Sequence, residues 1–270
     1  MKKTQYGIRA MWWGLAERPD ELGARFLETL DKLEPLSPAM NNWLLVDFVD
    51  LVLRPLTEVR SGIADLVLKN VGRDDDDEVD PREGYWMSAE GAESKKGFKT
   101  PRSVEVSIRS GSQWLNDAEI CVGGIGRPAD PALATYPIYR GALEILASTW
   151  PCPWVEAHAF RPNFPPLKPA TIPLTAAREL DPPRETYYFP WMLYLSAPLA
   201  AGLEPPKDLL REATPGGGMI LSAVQDRLDP DNPDHTRRAR LLQTIIDQRL
   251  PPDPVARLGM ATPPARIGPY

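Results

Sequence analysis

Between Arg73 and Gly84 the chain reads "RDDDDEVDPREG", seven carboxylates against two arginines. Asp74, Asp75, Asp76, Asp77, Glu78 and Asp80 make up the dense part of the run. Such a run has three chemical readings: a cation site, a solvated loop, or a surface shaped to meet a basic partner. A calcium loop of the EF-hand type needs glycine at its sixth position and glutamate at its twelfth. This run has no glycine at the sixth position and is interrupted by Pro81, so calcium is not expected. The ordinary fate of a charge run is a solvated loop. The second reading is a row of carboxylates standing where phosphates would lie in the Lys- and Arg-lined cleft of a nuclease, which would also speed encounter.

The other chemically capable residues are few. The chain has two histidines and two cysteines. His158 alternates with apolar residues in "WVEAHAF" and is expected on one side of a sheet; His235 is expected in the exposed first turn of a helix. Neither has a neighbour at zinc-ligand spacing, and no nucleophile elbow or phosphate-binding loop is present. "GGIG" at 123–126 and "PGGGM" at 215–219 lack dinucleotide-binding spacing and read as tight turns. Cys121 and Cys152 read as free thiols in a reducing compartment. The expectation is a protein that is not an enzyme and carries neither metal nor cofactor. The enzyme-class alternative is a carboxylate- or metal-dependent hydrolase using Asp74–Asp80. A third reading is a scaffold protein.

These residues need elements to position them. The length, 270 residues, and the 43% hydrophobic and 25% charged content suit a globular fold with a proper core. The net charge of −6 gives no electrostatic reason to bind nucleic acid. No stretch reaches 18 apolar residues, so no membrane span is expected, and the start of the chain lacks a secretory pattern. A cytoplasmic location follows. The 31 prolines are about twice ordinary usage and mark connectors and a proline-rich tail over 251–270. Residues 1–250 form the predicted domain, as one body or as two sub-lobes divided near residue 130.

Strands are predicted at Tyr6–Trp13, from Tyr85, at 103–111, at 118–126, at 154–160 and at 216–224. A helix opens at Pro19 with Leu22, Phe26, Leu30 and Leu33 on one face, and Pro35 and Pro38 end it. A second helix is predicted over Arg54–Gly72, although Gly62 lies inside it. A third carries Tyr139, Ala142, Leu143 and Leu146. The last has Asn232 as its N-cap and Pro233 at N1. "NNWLLVDFV" suits strand or helix, and "TYYFPWMLYLS" reads as strand up to Pro190 and then as short helix or strand. Paired strands between isolated helices point to α+β, with mainly antiparallel sheet packed against a few amphipathic helices.

Three segments resemble immunity protein family 52 of bacterial polymorphic toxin systems. The first is a strand ending at Trp13, followed by "ERPDELGARFLETLDKLEPLSPAMNNW" ending at Trp43. The second is "GALEILASTWPCPWVEAHAF", a helix, a Trp-Pro turn at Trp150 and a strand. The third is "FPWMLYLS", with Trp191, Met192, Tyr194, Leu195 and Ser196 in the family pattern, then a strand and "NPDH" opening a helix. Pro190 and Leu193 depart from that pattern, and Gly72–Gly97 has no counterpart in it. The resemblance implies an α+β antitoxin that binds and silences a cognate protein toxin, a DNase with a basic cleft, in some systems delivered by type VI secretion. It assigns structural roles to Trp13, Trp43, Trp150, Trp191 and Tyr194. The acidic run would then be this chain's own contribution to toxin binding, expected on the surface and poorly ordered without the partner.

Overall fold

Tyr6, Ile8, Ala10 and Trp12 alternate along the first strand, and all four are buried on one side of a sheet. The computed structural model describes residues 4–13, 17–73, 76, 78–93, 104–113, 115–122, 130–162 and 186–249. In chain order these form β1 (Gln5–Trp13), α1 (Pro19–Leu33), β2 (Leu44–Asp47), β3 (Val52–Pro55), α2 (Leu56–Val59), α3 (Ile63–Lys69), β4 (Tyr85–Gly91), β5 (Val104–Ser110) and β6 (Leu115–Val122). There follow α4 (Tyr136–Thr149), β7 (Trp154–Pro162), β8 (Thr186–Leu195), α5 (Ala197–Ala200), β9 (Leu210–Ala213), β10 (Met219–Ser222) and α6 (Pro233–Arg249). The tail from Pro251, Trp114, Gly123–Gly126 and the side chain of Trp13 lie outside the described residues.

The ten strands form one sheet in the order β3-β2-β4-β5-β6-β1-β7-β8-β10-β9, and every recorded pairing is antiparallel. The fold is therefore α+β. Strands from the first 122 residues lie on one side of β1, and those from Trp154 onward lie on the other. β1 holds both parts, pairing Tyr6–Trp13 with β6 and Gln5–Met11 with β7.

α1 and α4 pack together over one face. Trp12 stacks on Trp150, with centroids 5.3 Å apart, and the Trp150 indole N–H donates to Thr29 Oγ1 at 3.0 Å. Further along, Trp191 stacks on Tyr139 at 4.9 Å and meets Tyr6 edge-on at 6.0 Å. The Tyr6 hydroxyl donates to the Leu228 carbonyl at 2.7 Å. Trp43 is buried against Gly91, where a Cβ would come within 2.6 Å of the ring. Leu193 and Leu195 of β8 and Leu221 of β10 point away from α4 by strand alternation and are fully buried. α6 runs along β8 and buries Ala239, Leu242, Ile245 and Ile246.

One local expectation is corrected and two open ones are decided. The helix expected over Arg54–Gly72 begins only at Leu56, because Val52–Pro55 pairs with β2. It is also broken by a 3-10 turn at Arg60–Gly62, next to the glycine that weakens it. Beyond Pro190, where the sequence suits short helix or strand, β8 continues as strand to Leu195. Its register with β7 slips where Ala157 faces Met192 and His158 faces Pro190. The proline thus sits where the ladder is already interrupted, the position a strand tolerates, and the extra residue, Trp191, is aimed at Tyr139. For "NNWLLVDFV" the strand reading holds at Leu44–Asp47, and an exposed turn follows.

Replacing Trp191 by alanine should destabilise the fold by about 3–5 kcal/mol, as other large core truncations do. Trp191→Phe keeps the ring contact but leaves the Val224 carbonyl, which accepts the indole N–H at 3.1 Å, without that donor. It should cost about 1–3 kcal/mol. Urea unfolding of the two variants separates packing from the hydrogen bond; equal losses would mean that the hydrogen bond contributes the whole effect.

Candidate functional site

The acidic run leaves the end of α3 and returns at β4, and its base is stitched at several points. Val71 bridges Tyr85 and Arg73 bridges Val79. The Gly72 N–H donates to the Gly84 carbonyl at 2.6 Å, and the Asp80 N–H to the Gly72 carbonyl at 3.0 Å. Asp76 and Glu78 are exposed. Asp74, Asp75 and Asp77 lie outside the described residues. Asp80 does not belong with the exposed group. Only 9% of it is accessible, and its carboxylate accepts from the Arg82 amide at 2.9 Å and pairs with the Arg82 guanidinium at 2.7 Å. It caps the turn Pro81–Glu83, so its role is to shape the loop.

Beside this loop stands the β2–β3 hairpin. Among the described residues eight large apolar side chains are exposed, and five of them lie in six consecutive positions: Phe48, Val49, Leu51, Val52 and Leu53. The other three, Leu68, Val79 and Trp86, belong to α3, the acidic loop and β4. Phe48 meets Trp86 edge-on at 6.4 Å. Leu51 is 83% exposed and has φ of 55°, a conformation uncommon for a residue with a Cβ.

A buried polar frame holds this tip. The side chain of Asp47, only 1% accessible, accepts from the amides of Val49 at 3.2 Å and Asp50 at 3.0 Å. Its second oxygen meets Arg54 across the hairpin at 3.1 Å and Lys69 of α3 at 2.8 Å. Burial by itself would raise its pKa, but the Asp50 amide, Lys69 and Arg54 together outweigh burial and lower it to about 2. Asn70 completes the frame. Its side chain accepts from the Phe48 amide at 3.0 Å and donates to the Val46 carbonyl at 3.1 Å. Its own carbonyl accepts from the Trp86 amide at 2.9 Å.

The face of the sheet away from α4 carries a second polar assembly. Cross-strand register sets Ser107, Glu119, Arg9 and Glu156 in one row, and Glu90, Glu105, Cys121, Gly7 and His158 in the next. Glu156 and His158 are each 2% accessible, whereas Arg9, Glu105, Ser107, Glu119 and Cys121 are half-buried, as the alternation of Val104, Val106 and Ile108 suggests for β5. His158 lies across Gly7, where a Cβ would come within 3.2 Å of Nε2. Burial and then Arg9 hold His158 neutral, with its pKa lowered to about 3. Burial, reinforced by Glu90 and Glu119, raises Glu105. Burial, reinforced by Glu119 and Glu105, pushes the Cys121 thiol well up. Cys152, buried behind α4, is pushed up to about 12 by burial. The two cysteines are unbridged, and neither favours a thiolate.

His235 is partly buried rather than exposed. Its Nδ1 accepts from the Asp229 amide at 3.1 Å, which ties the approach to α6 alongside the Asn232 cap. The 215–219 glycines form the β9–β10 turn, closed by Thr214 and Gly218. Among the described residues no three His, Cys, Asp or Glu side chains converge to hold a metal ion, and no helix is long and apolar enough to cross a membrane. A cavity between α3 and the sheet, lined by Phe26, Ile63, Leu66 and Met87, has about 10 Å³, room for one water.

Of the family-like aromatics, Trp43, Trp150 and Trp191 are buried and Tyr194 is partly buried. The hairpin tip escaped sequence reading because a run of valines and leucines looks like core; the aspartates at positions 47 and 50 were its only signal. No protein-family model matches this chain, and no curated protein matches it.

Asp47 makes the tip pH-dependent. Its folded pKa lies below its ordinary value of 3.8, so the unfolded chain takes up the proton first. This contribution is complete above about pH 4 and is lost as the pH falls towards 2. Asp47→Asn should destabilise the protein by about 2–3 kcal/mol at neutral pH and flatten the acid limb of stability. Chemical denaturation between pH 2 and 7 tests this; an unchanged acid limb would remove Asp47 as the group responsible.

Proposed function

We propose that this protein is a cytoplasmic immunity protein that binds a cognate nuclease toxin and neutralises it, either by occluding its active cleft or by blocking its dimerisation. The observation that carries the reading is the display of the acidic segment. Asp76 and Glu78 stand exposed on a loop whose base is tied to β4 and α3. Carboxylates offered on a held loop suit a Lys- and Arg-lined cleft, because complementary charge steers encounter and excludes wrong partners. The resemblance to immunity protein family 52, carried by the segments around Trp43, Trp150 and Trp191, supports the same role. Such a toxin would be encoded beside this chain and, in some systems, delivered by type VI secretion.

The direct test is co-expression with the adjacent toxin gene. This chain should restore growth and suppress DNA cleavage by the purified nuclease in stoichiometric proportion. Magnesium- or calcium-dependent turnover by this chain alone, abolished by Asp→Asn changes in the run, would sink the inhibitor reading in favour of a hydrolase. Changing Asp74, Asp75, Asp76 and Asp77 to Asn should slow toxin association several-fold at low salt and flatten its salt dependence, with dissociation changing less. Stability should move by less than about 0.5 kcal/mol. Stopped-flow association at two salt concentrations reads this; an unchanged rate returns the run to a solvated loop.

A further inference from the structure

We propose that the tip of the β2–β3 hairpin is the apolar centre of the toxin interface, and that the toxin meets it with a hydrophobic pocket rimmed by lysine and arginine. The inference rests on the antitoxin reading above and names the part of the surface that would hold the partner. Single exposed apolar residues are ordinary on a protein surface. Five within residues 48–53, joined by Trp86, are not scattered. They form the outer end of the sheet, since β3 is its terminal strand.

The tip is also built to stay in one shape. Asp47 closes the turn from within and ties it to Arg54 and Lys69. Asn70 ties it to β2 and β4. Leu51 is held outward in a left-handed backbone conformation, which asparagine or glycine would adopt more readily. A surface that is already ordered loses little conformational freedom when a partner covers it.

Charge selects the occupant. The cations beside the patch are each paired: Arg54 and Lys69 with Asp47 and Asp50, and Arg109, which lies over the Trp86 ring, with Glu83. The acidic loop, with seven carboxylates against two arginines, is bridged to β4 at the residue before Trp86. A second copy of this chain would bring like charge against like. A partner with a basic rim gains attraction at long range while its pocket takes Leu51 and its neighbours. The division of labour is the usual one, in which rim charges set the association rate and the desolvated apolar centre sets dissociation.

The test uses the purified nuclease domain of the toxin encoded beside this chain. Val49→Ser combined with Leu51→Asn removes apolar surface at the tip without straining the turn, because asparagine accepts positive φ. The double variant should melt with the wild type and bind the nuclease about 30-fold or more weakly, with the loss in faster dissociation. Asp76→Asn with Glu78→Gln should act on association instead. Binding of the double variant within about threefold of wild type would overturn the proposal while leaving the antitoxin reading intact. Failure of the wild type to bind the nuclease would remove the reading and the proposal together. Sedimentation of this chain alone completes the test: a dimer that the double variant abolishes would assign the tip to a second copy and overturn the proposal.

Discussion

Two-sided pairing of β1 is the interaction on which the rest of the structure depends. Nine residues at the start of the chain hydrogen-bond to β6, more than a hundred positions later, and to β7, later still. Without β1 the five-strand and four-strand parts of the sheet have no common member. The same strand supplies Tyr6, Ile8, Ala10 and Trp12 to the floor on which α1 and α4 pack. Its other side brings Gly7 and Arg9 under the polar rows. Long-range closure of this kind is slow to form, because loop entropy must be overcome before the pairing is gained.

Aromatic packing makes the arrangement specific. Tyr6, Tyr139 and Trp191 come from β1, α4 and β8, and Tyr6 and Trp191 also donate to the Leu228 and Val224 carbonyls. The bulge in β8 is part of this. It accommodates Pro190 at a broken rung and turns Trp191 into the cluster, so one irregularity serves both backbone and packing. Trp150 does the equivalent work at the other end, between Trp12 and Thr29.

The hairpin and the acidic loop form a different kind of region. At the hairpin tip the buried side chains are polar and the exposed ones largely apolar, the inverse of the core, while the acidic loop beside it exposes Asp76 and Glu78. Asp47 and Asn70 satisfy backbone amides and carbonyls that the turn would otherwise leave open, and so hold leucine, valine and phenylalanine in water. A structure that maintains such an inversion with two buried polar side chains is suited to recognition, and the proposed antitoxin role uses both the tip and the charge beside it.

Much of the fold was legible from local pattern. The periodicity of Leu22, Phe26, Leu30 and Leu33 and the alternation of Val104, Val106 and Ile108 each report one face, and burial follows the face. The Asn232 cap and Pro233 start are local chemistry and appear where the sequence places them. Three things were decided only by tertiary structure. Val52–Pro55 became a strand because β2 lay beside it. Asp80 left the acidic surface because Arg82 was within reach of its carboxylate. The valines and leucines at 49–53 were left exposed because they fall at the end of the sheet, beyond the last element that would cover them. Hydrophobic pattern tells which residues favour burial, but only the completed topology determines which of them are reached.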